Sequence, residues 1–180
     1  MKNISNFFAA LIFAAMLIPA NAAAGDNVVI VDIKKIVNES VAAKKIATKI
    51  EKKRKKFQEE VSEEEEKLHE EEQELAKQRN VLAKEVFQER AAEFKKKLVA
   101  AQRMVQSRRS QLENAYVKAL EIVKDNTLEI IEEMAEDRNF NVAIPKSQLL
   151  YADKNLDISE EVLKKLNDNL PDVDVEIEEK

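Results

Sequence analysis

Cysteine and tryptophan are absent from the 180 residues, glycine occurs once, at Gly25, and histidine once, at His69. Without cysteine there are no disulfides, no thiolate metal site, no thiol nucleophile and no lipid-modified N-terminal cysteine. A single glycine excludes a phosphate-cradling loop and a dinucleotide fingerprint, which both need several. His69 is flanked by Leu68 and Glu70 in a highly charged stretch, where a solvated side chain is the expected state rather than a base or ligand. Carboxylate pairs such as Glu63 and Glu66 lie on a solvated helix face with no pocket to perturb them. These absences argue against an enzyme, and no catalytic residue, cofactor or metal is assigned.

What the chain does contain is helix-forming sequence. From Asp26 to Ile144 there is neither glycine nor proline, and Ala, Glu, Lys, Arg, Gln and Leu dominate, the residues that lose least on entering a helix. A hundred helical residues would reach roughly 150 Å if unbroken, so the span folds back on itself or extends outward.

The apolar spacing favours folding back. Val61, Leu68, Leu75 and Leu82 recur every seven residues, while the alternate seam runs Phe57, Glu64, Glu71, Gln78, giving a thin, half-polar stripe. In the second half Leu98, Val105, Leu112 and Ala119 form one seam and Phe94, Ala101, Arg108 and Ala115 the other. The two registers do not join smoothly near Arg79 to Lys84, which predicts an antiparallel hairpin with its turn at 80–83. With residue 79 facing residue 84, the acidic run Glu59 to Glu74 lies opposite residues 89–104, which carry Arg90, Lys95, Lys96, Lys97 and Arg103. Each exposed pair would contribute only a few tenths of a kcal/mol, but the set favours one register.

The N-terminus reads as an export signal over residues 1–22, with 24 as the alternative end. Lys2 gives a positive start, Phe7 to Ile18 is an apolar run, and Ala20-Asn21-Ala22 is a small-x-small cleavage pattern. Removing it leaves 29 basic against 35 acidic residues. The charge is uneven: residues 44–109 carry 19 basic and 14 acidic side chains, residues 110–180 carry 8 and 18. A basic arm on an acidic base is the electrostatic outline.

Flanking the arm are pieces of a small α+β body, residues 26–39 with 139–180, against 40–138 for the arm. Val28, Val29, Ile30 and Val31 form a β-branched run that predicts a buried strand. A short helical turn over Ile33 to Val37 follows, with Asn38 or Ser40 capping the long helix. Phe140, Val142 and Ile144 alternate with Asn141 and Ala143, predicting a second strand. Pro145 to Gln148 is a turn, Leu149 to Ala152 a returning strand, and Ser159 the cap of a helix to about Asn167. Residues 172–180 either add a short strand through Val173, Val175 and Ile177 or stay disordered. About fifty-six body residues make a marginal core, and the two strands would expose edges unless paired with other subunits. An obligate oligomer built on Val28 to Val31, Phe140, Val142 and Ile144 is therefore expected.

Taken together, the export signal, Val28-Val29-Ile30-Val31-Asp32, the charged hairpin containing Glu74-Leu75-Ala76-Lys77-Gln78-Arg79, then Phe140-Asn141-Val142-Ala143-Ile144, Leu150-Tyr151-Ala152-Asp153 and the Asp157-Ile158-Ser159 helix resemble the Skp/OmpH family of periplasmic chaperones. The likeness covers essentially the whole mature chain and rests on element order rather than on one motif. It implies a mostly α fold with a small β part, a homotrimer with three helical arms around a cavity, and binding of unfolded outer-membrane β-barrel proteins in the periplasm without ATP. The acidic mature chain departs from the strongly basic family habit, so an anionic membrane surface or lipopolysaccharide contact has no assigned residues.

Phe57, Val61, Phe87, Phe94 and Leu98, with Lys95, Lys96, Lys97 and Arg103, are the candidate client contacts, through many weak interactions that add up. The competing reading is that the aromatics are seam residues and the cations pair with Glu59 to Glu74. Two other functions compete with a holdase. A structural coiled-coil tether would favour continuous heptads; nucleic-acid binding through Lys52 to Lys56 conflicts with export and with the glutamates that follow.

Overall fold

The computed structural model describes residues 27–177, so the export signal and residues 178–180 lie outside the described residues. Strand β1 (Val28–Val31) leads into helix α1 (Ile33–Glu39), then α2 (Val41–Gln78) and α3 (Lys84–Arg138), strand β2 (Val142–Pro145), two 3₁₀ turns (Lys146–Gln148 and Lys154–Leu156) and helix α4 (Ser159–Asn169). The fold is mostly helical with a small β part: at 1.5 Å per residue, α2 spans about 57 Å and α3 about 82 Å, and together they form a long antiparallel hairpin arm on a small body.

Local chemistry sets the element ends. Asp32 caps α1 by accepting from the Lys35 N–H at 2.9 Å, and Ser40 caps α2 by accepting from the Ala43 N–H at 3.1 Å. At the arm tip Ala83 offers no side-chain cap; Leu82 and Phe87 occupy the two positions of a hydrophobic staple instead, and both are half-buried. Helix α3 ends at Asn139, which takes the left-handed conformation (φ 55°). The Asn27 side chain donates to the Asn139 carbonyl at 2.8 Å, and the Asn141 N–H donates to the Asn27 carbonyl at 3.1 Å. That clamp lays β2 beside β1.

The two strands pair with each other, in parallel, Val28 with Val142 through Val31 with Pro145. These strands, expected to expose edges unless paired with other subunits, cover one edge of each other, and the whole arm serves as the crossover that parallel strands require. On its other side β1 meets Asp157 in an isolated bridge, and the Ile158 N–H donates to the Ile30 carbonyl at 3.0 Å. Among the described residues no strand lies on the outer side of β2, and Val142 there is exposed while Phe140, just before the strand, is buried.

Three expectations are corrected. The returning strand over Leu149 to Ala152 does not form; Leu150 and Tyr151 stand 109% and 86% exposed in an irregular loop, with β propensity but no partner strand. Ser159 is the first helical residue rather than the cap of α4, because its hydroxyl is turned inward to accept from the Asp32 N–H at 2.8 Å. Residues 172–177 form neither a strand nor a disordered end: Val173 and Val175 are buried while Asp174 and Glu176 between them are exposed, the alternation of an extended chain.

The apolar core does not stop at the body. Val31, Ile36, Phe140, Ile158, Val162 and Leu166 are continuous with Ala42, Ile46 and Ile50 of α2 and with Leu112 through Met134 of α3. The roots of the arm thus supply the interior that fifty-odd body residues could not build alone. The buried hydroxyl of Thr127 donates to the Val123 carbonyl at 2.7 Å, so helix α3 passes through this core without an unsatisfied polar group.

Candidate functional site

Beyond its roots the arm stands clear of the body's core, and its seam explains its shape. On α2, Phe57, Val61, Glu64, Leu68, Glu71, Leu75 and Gln78 are the positions turned from solvent; on α3 the same holds for Phe87, Ala91, Phe94, Ala101, Val105 and Arg108. Only Val61 and Leu68 fall below one tenth exposed between Phe57 and Ala101, so the distal arm is held by a thin contact.

The register differs from the expected one. Glu71 should have faced Ala92; instead Lys97 donates to both of its carboxylate oxygens, at 2.7 and 2.8 Å, five residues further along α3. Arg90 likewise reaches the Gln78 side chain. The cause is the tip: Arg79, Val81 and Leu82 donate their N–H groups back to Ala76 and Gln78, so the turn spends itself prolonging the spiral of α2 and moves the hairpin's midpoint toward Lys84. The Lys97 ammonium is held above its ordinary pKa by the hydrogen bond to Glu71.

The candidate client contacts therefore divide. Phe57, Val61, Phe87 and Phe94 sit at the seam, Val61 buried and the three aromatics half-buried, and Lys97 is paired with Glu71. Leu98 is at the seam's margin, 39% exposed. Lys95, Lys96 and Arg103 face outward on α3, where with Val99, Ala100 and Met104 they line an open depression of about 830 Å³. Sequence reasoning missed those last three residues. Their signal was available, since Lys95, Val99 and Arg103, and Lys96, Ala100 and Met104, recur at i, i+4, i+8, all of them exposed but the half-buried Met104. A second groove, about 970 Å³, runs beside the arm root and includes Ile50, Arg54, Phe57, Val105, Arg109 and Tyr116. His69 is exposed and bonds Gln73 at 2.9 Å.

At the body, the bridge between β1 and α4 is electrostatically fixed. Burial alone would push the Asp157 carboxyl up, but hydrogen bonds from Lys146 Nζ (2.7 Å) and from the Ser159 hydroxyl and N–H outweigh it and bring it down to about 2. Lys35 pairs with Glu160 and Arg138 with Glu161 at 2.6 Å, tying α1 and α3 to α4. Leu150, Tyr151, Val142 and Leu156 remain exposed on the same small body.

Comparison with known proteins agrees with this architecture. A family model described as outer membrane protein, OmpH-like, matches residues 27–166. A search of curated protein sequences returned no match. Among solved structures, that of an outer membrane chaperone candidate of the OmpH-like type from Caulobacter crescentus is similar over 100% of this chain and 98% of its own, with a TM-score of 0.79 at 19% sequence identity. At that identity the likeness speaks for the fold, and the family match speaks for descent. The chain belongs to the OmpH-like outer membrane protein family.

Proposed function

We propose that this protein is a periplasmic, ATP-independent holdase that binds unfolded outer-membrane β-barrel proteins after translocation and keeps them soluble until insertion. The observation that carries the reading is the outward face of α3, where Lys95, Lys96 and Arg103 alternate with Val99, Ala100 and Met104 over an open surface. Such a face offers weak apolar contacts flanked by cations, suited to many segments of an extended chain and to no single ligand. It is open to solvent along its length, and the reading assigns it binding. The cations would also favour an anionic membrane surface, weakly and in a salt-sensitive way.

Self-association follows from the body. Among the described residues β2 has no second strand on its outer side, and Val142, Leu150, Tyr151 and Leu156 are exposed on the body; we assign this side to contacts between copies, as a homotrimer whose arms enclose the client. Export through residues 1–22 places the assembly in the periplasm. The test is dilution of a urea-denatured outer-membrane β-barrel into buffer: a small molar excess of the protein suppresses light scattering under this reading, whereas a structural tether leaves the aggregation rate unchanged.

A further inference from the structure

Between Asp172 and Ile177 acidic and apolar residues alternate strictly, Asp-Val-Asp-Val-Glu-Ile. The apolar half turns inward: Val173 and Val175 are buried and Ile177 packs against the same core. Lys49 of α2 fastens the start of the segment, its ammonium lying 2.8 Å from the Val173 carbonyl, 2.9 Å from Asp172 Oδ1 and 3.5 Å from Asp174 Oδ1. Further on, Glu176 lines a cleft with Arg103, Ser107 and Asn114 of α3, and Ile177 lines another with Lys53, Phe57 and Arg108. The tail therefore climbs the arm. Four extended residues from Val173 to Ile177 cover about 13 Å, and eight helical residues from Lys49 to Phe57 cover about 12 Å, so the two levels match. The segment lies in the furrow between α2 and α3.

Side chains hold it there. Among the described residues, no backbone–backbone hydrogen bond involves residues 171–177, whereas β1 is bonded on both sides. A segment without a ladder can leave without breaking one. Its pattern, every second side chain apolar in an extended backbone, is also that of a membrane β-strand before the barrel closes.

We propose that the tail is a built-in occupant of a client site: the furrow between α2 and α3 at the arm root accepts an extended segment of an unfolded β-barrel protein with alternating apolar and polar side chains, and the tail must leave for it to dock. This rests on the holdase reading above. The tail then sets the threshold for capture, because apparent affinity falls by the fraction of molecules whose furrow is open; occupancy of nine parts in ten would weaken binding about tenfold.

The lack of cysteine makes the experiment direct. Glu176→Cys in the otherwise unaltered protein takes one environment-sensitive fluorophore, and urea-denatured porin is titrated in. Porin is expected to shift the emission toward that of the solvated dye, and a synthetic Pro171–Ile177 peptide to compete with it. The pair Lys49→Met and Asp172→Asn, which keeps Val173 and Val175, should start with the dye already near its solvated emission and, unlabelled, should keep porin soluble at about a tenth of the protein concentration. If the unlabelled protein keeps porin soluble but the dye does not respond, or the paired variant starts with unshifted emission and holds porin no better, the built-in occupant is overturned and the holdase stands. If porin aggregates regardless, the holdase reading fails and this inference with it.

Discussion

The root of the arm and its distal half are the same two helices, yet different forces hold them. At the root Ala42, Ile46 and Ile50 face Leu112, Ala115, Ala119 and Val123 in a seam almost closed to water, and the body and the tail pack over it. Beyond Phe57 the seam alternates Val61, Leu68 and Leu75 with Glu64, Glu71 and Gln78, and what α3 offers it, Phe87, Ala91, Phe94, Ala101, Val105 and Arg108, is half-buried throughout. One chain thus carries a folded anchor and a marginal extension. Apolar burial decides which is which, since a buried aliphatic side chain contributes about 1.5–3 kcal/mol and an exposed ion pair a few tenths.

The contrast is sharpest in paired truncations. Ile46→Ala, at a fully buried root position, should cost about 2–5 kcal/mol and lower Tm by roughly 10 °C. Leu75→Ala, half-buried in the distal seam, should cost about 1 kcal/mol or less. Thermal denaturation followed by circular dichroism measures both, and equal losses would erase the distinction between anchor and extension. Native-state hydrogen exchange reads it without mutation: amides of 61–78 and 87–104 should be protected roughly tenfold less, or weaker still, than those of 119–134.

Much of this arrangement was legible in the sequence. Heptad spacing is local, so seam positions such as Val61, Leu68, Phe94 and Val105 could be read from it, while Leu98, expected in the seam, stands exposed at its margin. The β-branched run at Val28 and the Ser40 cap were equally local. The register was not, because it depends on how Arg79 bonds back to Ala76 and Val81 and Leu82 to Gln78, a detail that no charge pattern encodes. Leu149 to Ala152 has strand composition but lacks a partner, and Val173 to Ile177 finds its partner in Lys49 and the helix furrow rather than in a sheet. On the candidate site, Lys95, Lys96 and Arg103 were legible as charge. Val99 and Met104 were passed over because they lie off the seam.

Smaller effects separate the body's polar fastening from the arm's. Asp157→Asn should cost about 1–2 kcal/mol at neutral pH, since it weakens hydrogen bonds to a charged group. Its sign with pH is fixed by the depressed carboxyl: the contribution is fully present above the unfolded value near 3.9 and is lost as pH falls through about 2. A urea titration across pH 2–7 should therefore show a flatter acid limb in the variant; an unchanged limb would remove Asp157 from the fastening. Lys97→Ala, which breaks the exposed arm pair with Glu71, should leave Tm unchanged within error, and a clear drop would mean that the distal arm depends on its charges.

The mass of the native assembly, alone and with a denatured porin, tests the account most directly. Sedimentation or native mass spectrometry at micromolar concentration should give a homotrimer that gains the mass of one porin and keeps it in solution. A folded monomer whose mass porin does not alter would contradict it.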